Sequence, residues 1–277
     1  MIIDLSNNNN VLDWDDVKEN VTRVILRCAL RGYRYNNIKR DPRFDEYAEA
    51  CNKRNIPLGI YFMSQAINEQ EAIEEALYTI EAAKLYNAEL PLFIDSEWSH
   101  EPHDGRADFL SKEQRTAVVK AFCNKINEFG YVGGVYACES WFTEHLIYND
   151  VKNFYVWVAD YGQNTGEIVS VISLPKYDLF QFTSNRRIPG IQNPVDCSVY
   201  PNETMPKTER TVSNMPVLRK GSSGKAVRIW QIIVGAEPDG NFGPLTEEAT
   251  TSFQKRYSID VDGVVGPQSW STGFNSF

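Results

Sequence analysis

The sequence predicts an α/β domain followed by a small all-α C-terminal domain, and three observations carry that expectation. Up to about residue 200, short β-rich apolar runs alternate with longer stretches of helical period, the pattern of parallel strands joined by crossover helices. The stretch from Pro201 to Pro216 then holds three prolines and many small polar residues with no hydrophobic period. Beyond it, an Asp-Gly-x-x-Gly-Pro segment occurs twice, 23 residues apart. The expected organisation is residues 1–202 as the first domain, 203–215 as a linker and 216–277 as the helical domain.

In chain order, the strand candidates are Ile2–Asp4, Arg23–Cys28, Pro57–Phe62, Pro91–Asp95, Tyr131–Ala137, Phe154–Ala159, Asp178–Phe182 and Val195–Val199. Eight is the number that closes a small barrel. Helical stretches fall near Trp14–Asn20, Pro42–Arg54, Asn68–Tyr86 and Lys112–Phe129. In the third, Ala72, Ile73, Ala76, Leu77, Ile80 and Ala83 keep an approximate 3.6 period. After about Tyr148 the helices shorten or vanish while strands continue, so the expectation is an irregular TIM-like (β/α) barrel with about eight strands and fewer helices. In the tail, proline with its preset φ suits the first turn of a helix, so two helices are expected from Pro244 and Pro267. Val227, Trp230, Ile233 and Val234 supply one apolar face, Ala249 and Phe253 another, with Trp270 closing a three-helix core.

Composition narrows the function. With 42% hydrophobic and 23% charged residues, the chain reads as an ordinary globular protein. Its net charge of −9 argues against nucleic acid, which needs clustered Lys and Arg. Six basic and six acidic residues balance between Met215 and Phe277, so the surplus lies in the first domain. Met1 leads into Ile2, Ile3 and Asp4 with no signal-peptide pattern, and no run of 18 apolar residues occurs. The expectation is synthesis in the cytoplasm without membrane insertion. Cys28, Cys51, Cys123, Cys138 and Cys197 are scattered and read as reduced, mostly buried thiols. With only His100, His103 and His145 and no His-Glu-x-x-His, no metal or other cofactor is implied. His100-Glu101-Pro102-His103 reads as a surface or subsite loop.

The acids are the strongest chemical signal. Pro91-Leu-Phe-Ile-Asp95-Ser-Glu97 places two carboxyl groups at i and i+2 after an apolar strand, on one face if the strand continues. Asp4 closes the first strand candidate and Asp196 sits in the last, at the strand ends where barrels of this kind keep their active sites. Cleaving a glycosidic bond needs one acid to protonate the leaving oxygen and a second group to meet the developing positive charge. Tyr61, Tyr136, Trp157 and Tyr161 are placed to line a groove and stack on sugar faces, with Gln181 and Arg27 hydrogen-bonding around them.

Five segments, Asp4-Leu-Ser6, Gly59-Ile-Tyr61-Phe62, Phe93-Ile-Asp95-Ser-Glu97, Val156-Trp157-Val-Ala159-Asp-Tyr161 and Leu179-Phe180-Gln181-Phe182, together resemble family 25 glycoside hydrolases. That resemblance covers Met1 to about Asn202. It implies a muramidase in which Glu97 is the general acid, Asp95 supports the substrate's 2-acetamido group, and Asp4 and Asp196 complete the site. It also implies a retaining reaction with acetamido participation, although acids two residues apart leave a direct Asp nucleophile open. Tyr61-Phe62-Met63 departs from the histidine that many relatives carry near there. From Pro216 to Phe274, Leu218-Arg-Lys-Gly221, Val227-Arg-Ile-Trp230-Gln231, Phe253-Gln254 and Asp262-Gly-Val-Val-Gly-Pro267 resemble the helical peptidoglycan-binding domain, with a shortened connection from Gln231 to Asp239. The function this implies is hydrolysis of the β-1,4 bond between N-acetylmuramic acid and N-acetylglucosamine, with bacterial peptidoglycan as partner, in a phage or prophage endolysin. A bacterial autolysin, a spore-lysis muramidase and a catalytically silent wall-glycan-binding protein are the alternatives.

Overall fold

The computed structural model describes residues 1–99, 102–201 and 215–275, and the chain divides into two compact units, Met1–Thr208 and Glu209–Phe277. The linker expected at 203–215 lies almost wholly outside the described residues.

In the first unit, nine strands form one sheet: β1 (Ile2–Leu5), β2 (Arg23–Arg31), β3 (Ile38–Arg40), β4 (Leu58–Met63), β5 (Leu92–Asp95), β6 (Gly133–Cys138), β7 (Tyr155–Ala159), β8 (Leu179–Arg186) and β9 (Val195–Val199). The order is β1-β9-β8-β7-β6-β5-β4-β2-β3, and a further β1–β2 pairing closes eight of them into a barrel. Within that ring of eight, neighbours pair in parallel except around β9, which runs antiparallel to both β1 and β8. All eight expected strands are present. The ninth, β3, is an antiparallel flap on β2 that the sequence reading did not anticipate, because Ile-Lys-Arg has no apolar run to betray it.

Helices α1 (Trp14–Asn20), α2 (Phe44–Lys53), α3 (Glu69–Leu85) and α4 (Lys112–Glu128) match the expected stretches. Each has a local reason to start where it does. Asp13 caps α1 through the amides of Asp15 and Asp16, Asn68 caps α3 through the amide of Glu71, and Ser111 with Gln114 forms a capping box on α4. After α4 come only the short α5 (Glu139–Glu144) and α6 (Tyr148–Val151), and residues 160–178 join β7 to β8 without a helix. The barrel is irregular in its last third, as expected.

Period-2 alternation sorts the strand residues. Outward side chains such as Ile3, Leu5, Val24, Leu26, Ile94, Val135 and Val158 join the core beneath the helices. Inward, Ile2, Ile25, Phe93, Tyr155, Trp157 and Leu179 fill the barrel with a second, aromatic-rich core. Cys28, Cys51, Cys123 and Cys197 are free and buried, while Cys138 is exposed. Among the described residues no helix is long and apolar enough to cross a membrane.

The second unit has three helices, α7 (Lys225–Val234), α8 (Pro244–Arg256) and α9 (Pro267–Asn275), around Leu218, Val227, Trp230, Phe242, Phe253, Val265 and Trp270. The two turn copies have the same anchor. Gln231 Nε2 donates to Asp239 Oδ1 at 2.7 Å, to the Asn241 carbonyl at 3.0 Å and to Thr246 Oγ1 at 3.0 Å, while its Oε1 accepts from the Gly240 amide at 2.9 Å. Gln254 repeats the set with Asp262, Val264, Ser269 and Gly263 at 2.9, 2.9, 3.2 and 2.9 Å. A buried amide satisfied on both ends thus pins each turn to the helix before it.

Candidate active site

The polar end of the barrel interior is built one residue per strand. Two positions beyond the inward core residues Ile2, Ile25, Phe93, Tyr155 and Leu179 stand Asp4, Arg27, Asp95, Trp157 and Gln181. On β4 and β6, Gly59 and Gly134 precede Tyr61 and Tyr136 in the same way, and antiparallel β9 supplies Asp196, opposite Asp4. With Glu97 and Tyr161 from the segments after β5 and β7, all ten residues singled out in the sequence line one cavity of about 450 Å³.

Glu97 reaches that cavity differently from the sequence expectation. Strand β5 ends at Asp95, so Glu97 lies past the regular pleat. The Ser96 amide donates to the Tyr136 carbonyl at 3.0 Å and Ser96 Oγ accepts from Trp141 Nε1 at 3.0 Å, which carries the chain one residue beyond the strand before Glu97 turns in. A neighbouring cavity of about 400 Å³ shares Glu97, Tyr136 and Tyr161 and extends over Cys138, Glu139 and Asp160.

Asp4 and Asp95 are buried and Glu97 and Asp196 half-buried beside them, and loss of solvent is the first cause of each one's raised pKa. Asp4 and Asp95 lie well above the usual carboxylate range, Asp4 through burial and then Asp196, Asp95 through burial and then Glu97. Glu97 is pushed up to about 7 by burial and then by Asp196, and Asp196 to about 6 by burial. At neutral pH the cluster therefore keeps protons to give. Asp95 Oδ1 is buried and has no hydrogen-bond partner among the described residues. An acceptor left so in a cavity wall is costly unless a ligand satisfies it.

The supporting residues divide by what they touch. Trp157 is not an open stacking platform: it is 2% exposed, its Nε1 donates to Ser198 Oγ at 3.1 Å, and Tyr136, Phe93 and Tyr61 meet it edge-on. It forms the cavity floor. Arg27 Nε donates to Asp41 Oδ2 at 2.8 Å, and its guanidinium also donates to Asn7. Gln181 bridges Asp4 to the hydroxyls of Tyr136 and Tyr161. Asn7, Asn8, Asn9, Tyr33 and Met63 also line the cavity and were not singled out. The asparagine run directly after an acid-tipped strand was the available signal for three of them. His100 and Glu101 lie outside the described residues, and His103 Nδ1 is 2.8 Å from the Ser99 carbonyl. No group of three His, Cys, Asp or Glu among the described residues is arranged to hold a metal ion.

The family model for glycosyl hydrolases family 25 matches residues 3–191, which spans the whole barrel up to β9. The chain belongs to that family. A second model, for a peptidoglycan binding domain, matches residues 231–272 of this family 25 chain. The autolytic lysozyme of Clostridium acetobutylicum is 24% identical over 266 residues, 94% of this chain and 74% of the relative. A zinc D-Ala-D-Ala carboxypeptidase of Streptomyces albus G is 42% identical over 62 residues, and this chain covers only 24% of that protein's length. Among solved structures, the modular autolysin LytC of Streptococcus pneumoniae with a synthetic peptidoglycan ligand superposes at a TM-score of 0.62 and 28% identity, over 72% of this chain and 46% of that one. The catalytic domain of endolysin ply40 from a Listeria monocytogenes phage gives 0.59 and 26%, over 73% and 93%.

Proposed function

We propose that this family 25 chain hydrolyses peptidoglycan at the β-1,4 bond between N-acetylmuramic acid and N-acetylglucosamine. The observation that carries the reading is Glu97, a carboxyl group with its pKa raised to about 7, facing a cavity shared with three other acids, Asp4, Asp95 and Asp196. A general acid works best when its pKa lies near the operating pH. Glu97 hands its proton to the departing sugar oxygen. Asp95, with its unpartnered buried oxygen, accepts from the N–H of the 2-acetamido group and so aims the acetamido oxygen at the anomeric carbon. Water then attacks the anomeric carbon from the face the leaving group vacated, giving up a proton to the now ionised Glu97 as the oxazoline C–O bond breaks, with net retention. Asp196, raised only to about 6, holds negative charge near the positive charge that develops at the ring, and Asp4 pairs with it across the strand.

The tail, with its match to a peptidoglycan binding domain, raises the enzyme's local concentration on the wall. The setting we favour is a phage or prophage endolysin made in the host cytoplasm, supported by the likeness to the ply40 catalytic domain. The relative from Clostridium acetobutylicum favours a bacterial autolysin as the second reading. Reducing-end analysis of digested peptidoglycan tests the chemistry: new muramic acid ends are expected, glucosamine ends would move the bond, and no new ends would leave a binding protein. Whether the gene sits beside phage lysis genes decides the setting.

A further inference from the structure

Gln181, on β8, is 2% exposed, and its side-chain amide engages three neighbours. Its Oε1 accepts from the hydroxyls of Tyr136, at 2.7 Å, and Tyr161, at 2.6 Å. Its Nε2 donates to Asp4 Oδ2 at 2.8 Å. A carboxamide oxygen has two lone pairs and each phenol has one proton, so this arrangement uses both lone pairs and both protons. Only lone pairs are left for the two tyrosines to offer the cavity. The opposite amide orientation would set a carbonyl oxygen against Asp4, which only the protonated acid could meet, whereas Nε2 as placed donates to either form of the acid.

On the reading of the cavity as a glycan site, we propose that Gln181 is a positioning residue that fixes the protons along this wall. It makes Tyr136 and Tyr161 acceptors for substrate N–H and O–H groups and holds Asp4 by an N–H donor. The wall then selects a sugar by its donors, and Gln181 itself does not touch the substrate. The groups that face it are Asp4 from β1, Asp196 from β9, Tyr136 from β6, Tyr161 after β7 and Glu97 after β5; Arg27 from β2 is the one cation among the described residues lining this cavity and is engaged by Asp41, so an added negative charge here meets mostly acids. In keeping with this, the Gln181 hydrogen bond acts on Asp4 against the upward push from burial and Asp196.

The test compares Gln181→Glu and Gln181→Met in the full-length protein, reading calorimetric binding and turnover of a soluble N-acetylglucosamine–N-acetylmuramic acid oligomer from pH 5 to pH 8. A protonated carboxyl has a carbonyl oxygen for the two phenols and an O–H for Asp4, so it reproduces the amide. Once ionised it loses the donor and adds charge beside Asp4. Gln181→Glu is therefore expected within about threefold of wild type at pH 5, with affinity falling about tenfold further than wild type by pH 8, one hydrogen bond's worth. Gln181→Met frees both hydroxyls to rotate and is expected to weaken binding about tenfold at every pH. A purely space-filling role for Gln181 predicts instead that Gln181→Met, which has similar volume and no hydrogen-bonding amide, binds as wild type does. A Gln181→Glu protein that tracks wild type across the range overturns the assignment, and this holds even where Gln181→Met does not fold. A wild type that neither binds nor cuts overturns the glycan reading and the assignment together.

Discussion

Asp95 shows at the scale of one residue that the cavity is organised for a guest at some cost to the fold. Its carboxyl is buried beside Glu97, one oxygen has no partner, and its pKa is raised. The sign of the pH dependence follows from the raised values. Folding favours the neutral forms of Asp4, Asp95, Glu97 and Asp196, so their contribution to stability is complete below the ordinary carboxylate range. It is lost as pH climbs through the raised values, about 6 for Asp196 and about 7 for Glu97. Asp95→Asn is expected to raise Tm by about 2–6 °C at pH 8, with little change at pH 5, as thermal melts at the two pH values will show. Activity has its own limb: kcat/KM is expected to fall as pH rises through about 7, where Glu97 gives up the proton it must donate. The Asp-x-Glu pair was legible in the sequence because an apolar run delivers it to a strand end. Tyr33 was not legible as a lining residue, because loop positions carry no period, and Asn7 and Asn8 were marked only by their place in an asparagine run. Gln181 stood out as a polar residue in an apolar strand, but its bridging role needed three elements brought together.

At the scale of the element, small residues make room for the aromatic floor. A Cβ at Gly134 on β6 would stand 2.6 Å from the Phe93 ring and 2.9 Å from the Tyr155 carbonyl. Gly134→Ala is therefore expected to destabilise the barrel by about 1–3 kcal/mol in urea unfolding, through overpacking rather than loss of a contact. Ser111→Ala removes one half of the α4 capping box and is expected to cost about 1 kcal/mol in the same measurement. The eight ring strands and four long helices were readable because alternation and 3.6 periodicity are local. The β3 flap was not, since its three residues are held by pairing with Ala29, Leu30 and Arg31 rather than by any pattern of their own. In the tail, the repeated turn was visible in the sequence, whereas the two buried glutamines that anchor it were visible only as parts of a family resemblance.

At the scale of the whole molecule, the two units have separate cores, and we assign cutting to the first and holding to the second. The second unit, Glu209–Phe277, has among its described residues a core of seven buried hydrophobic side chains, with two buried glutamine anchors in place of disulfides. Residues 216–277 alone are expected to sediment with purified bacterial walls. A protein ending at residue 202 is expected to keep its turnover of soluble oligomers while losing about tenfold or more on intact walls, because tethering acts only where the substrate is a surface. Equal losses on both substrates would show the tail supporting the barrel instead of the wall.

The most direct measurement is turnover of a soluble muramic acid–glucosamine oligomer by Glu97→Gln, with binding of the same oligomer measured in parallel. The substitution keeps shape and hydrogen-bonding capacity and removes only the transferable proton. Binding within threefold of wild type with turnover lowered at least about a hundredfold is the expected result. Turnover within threefold of wild type would contradict the assignment of Glu97 as the acid.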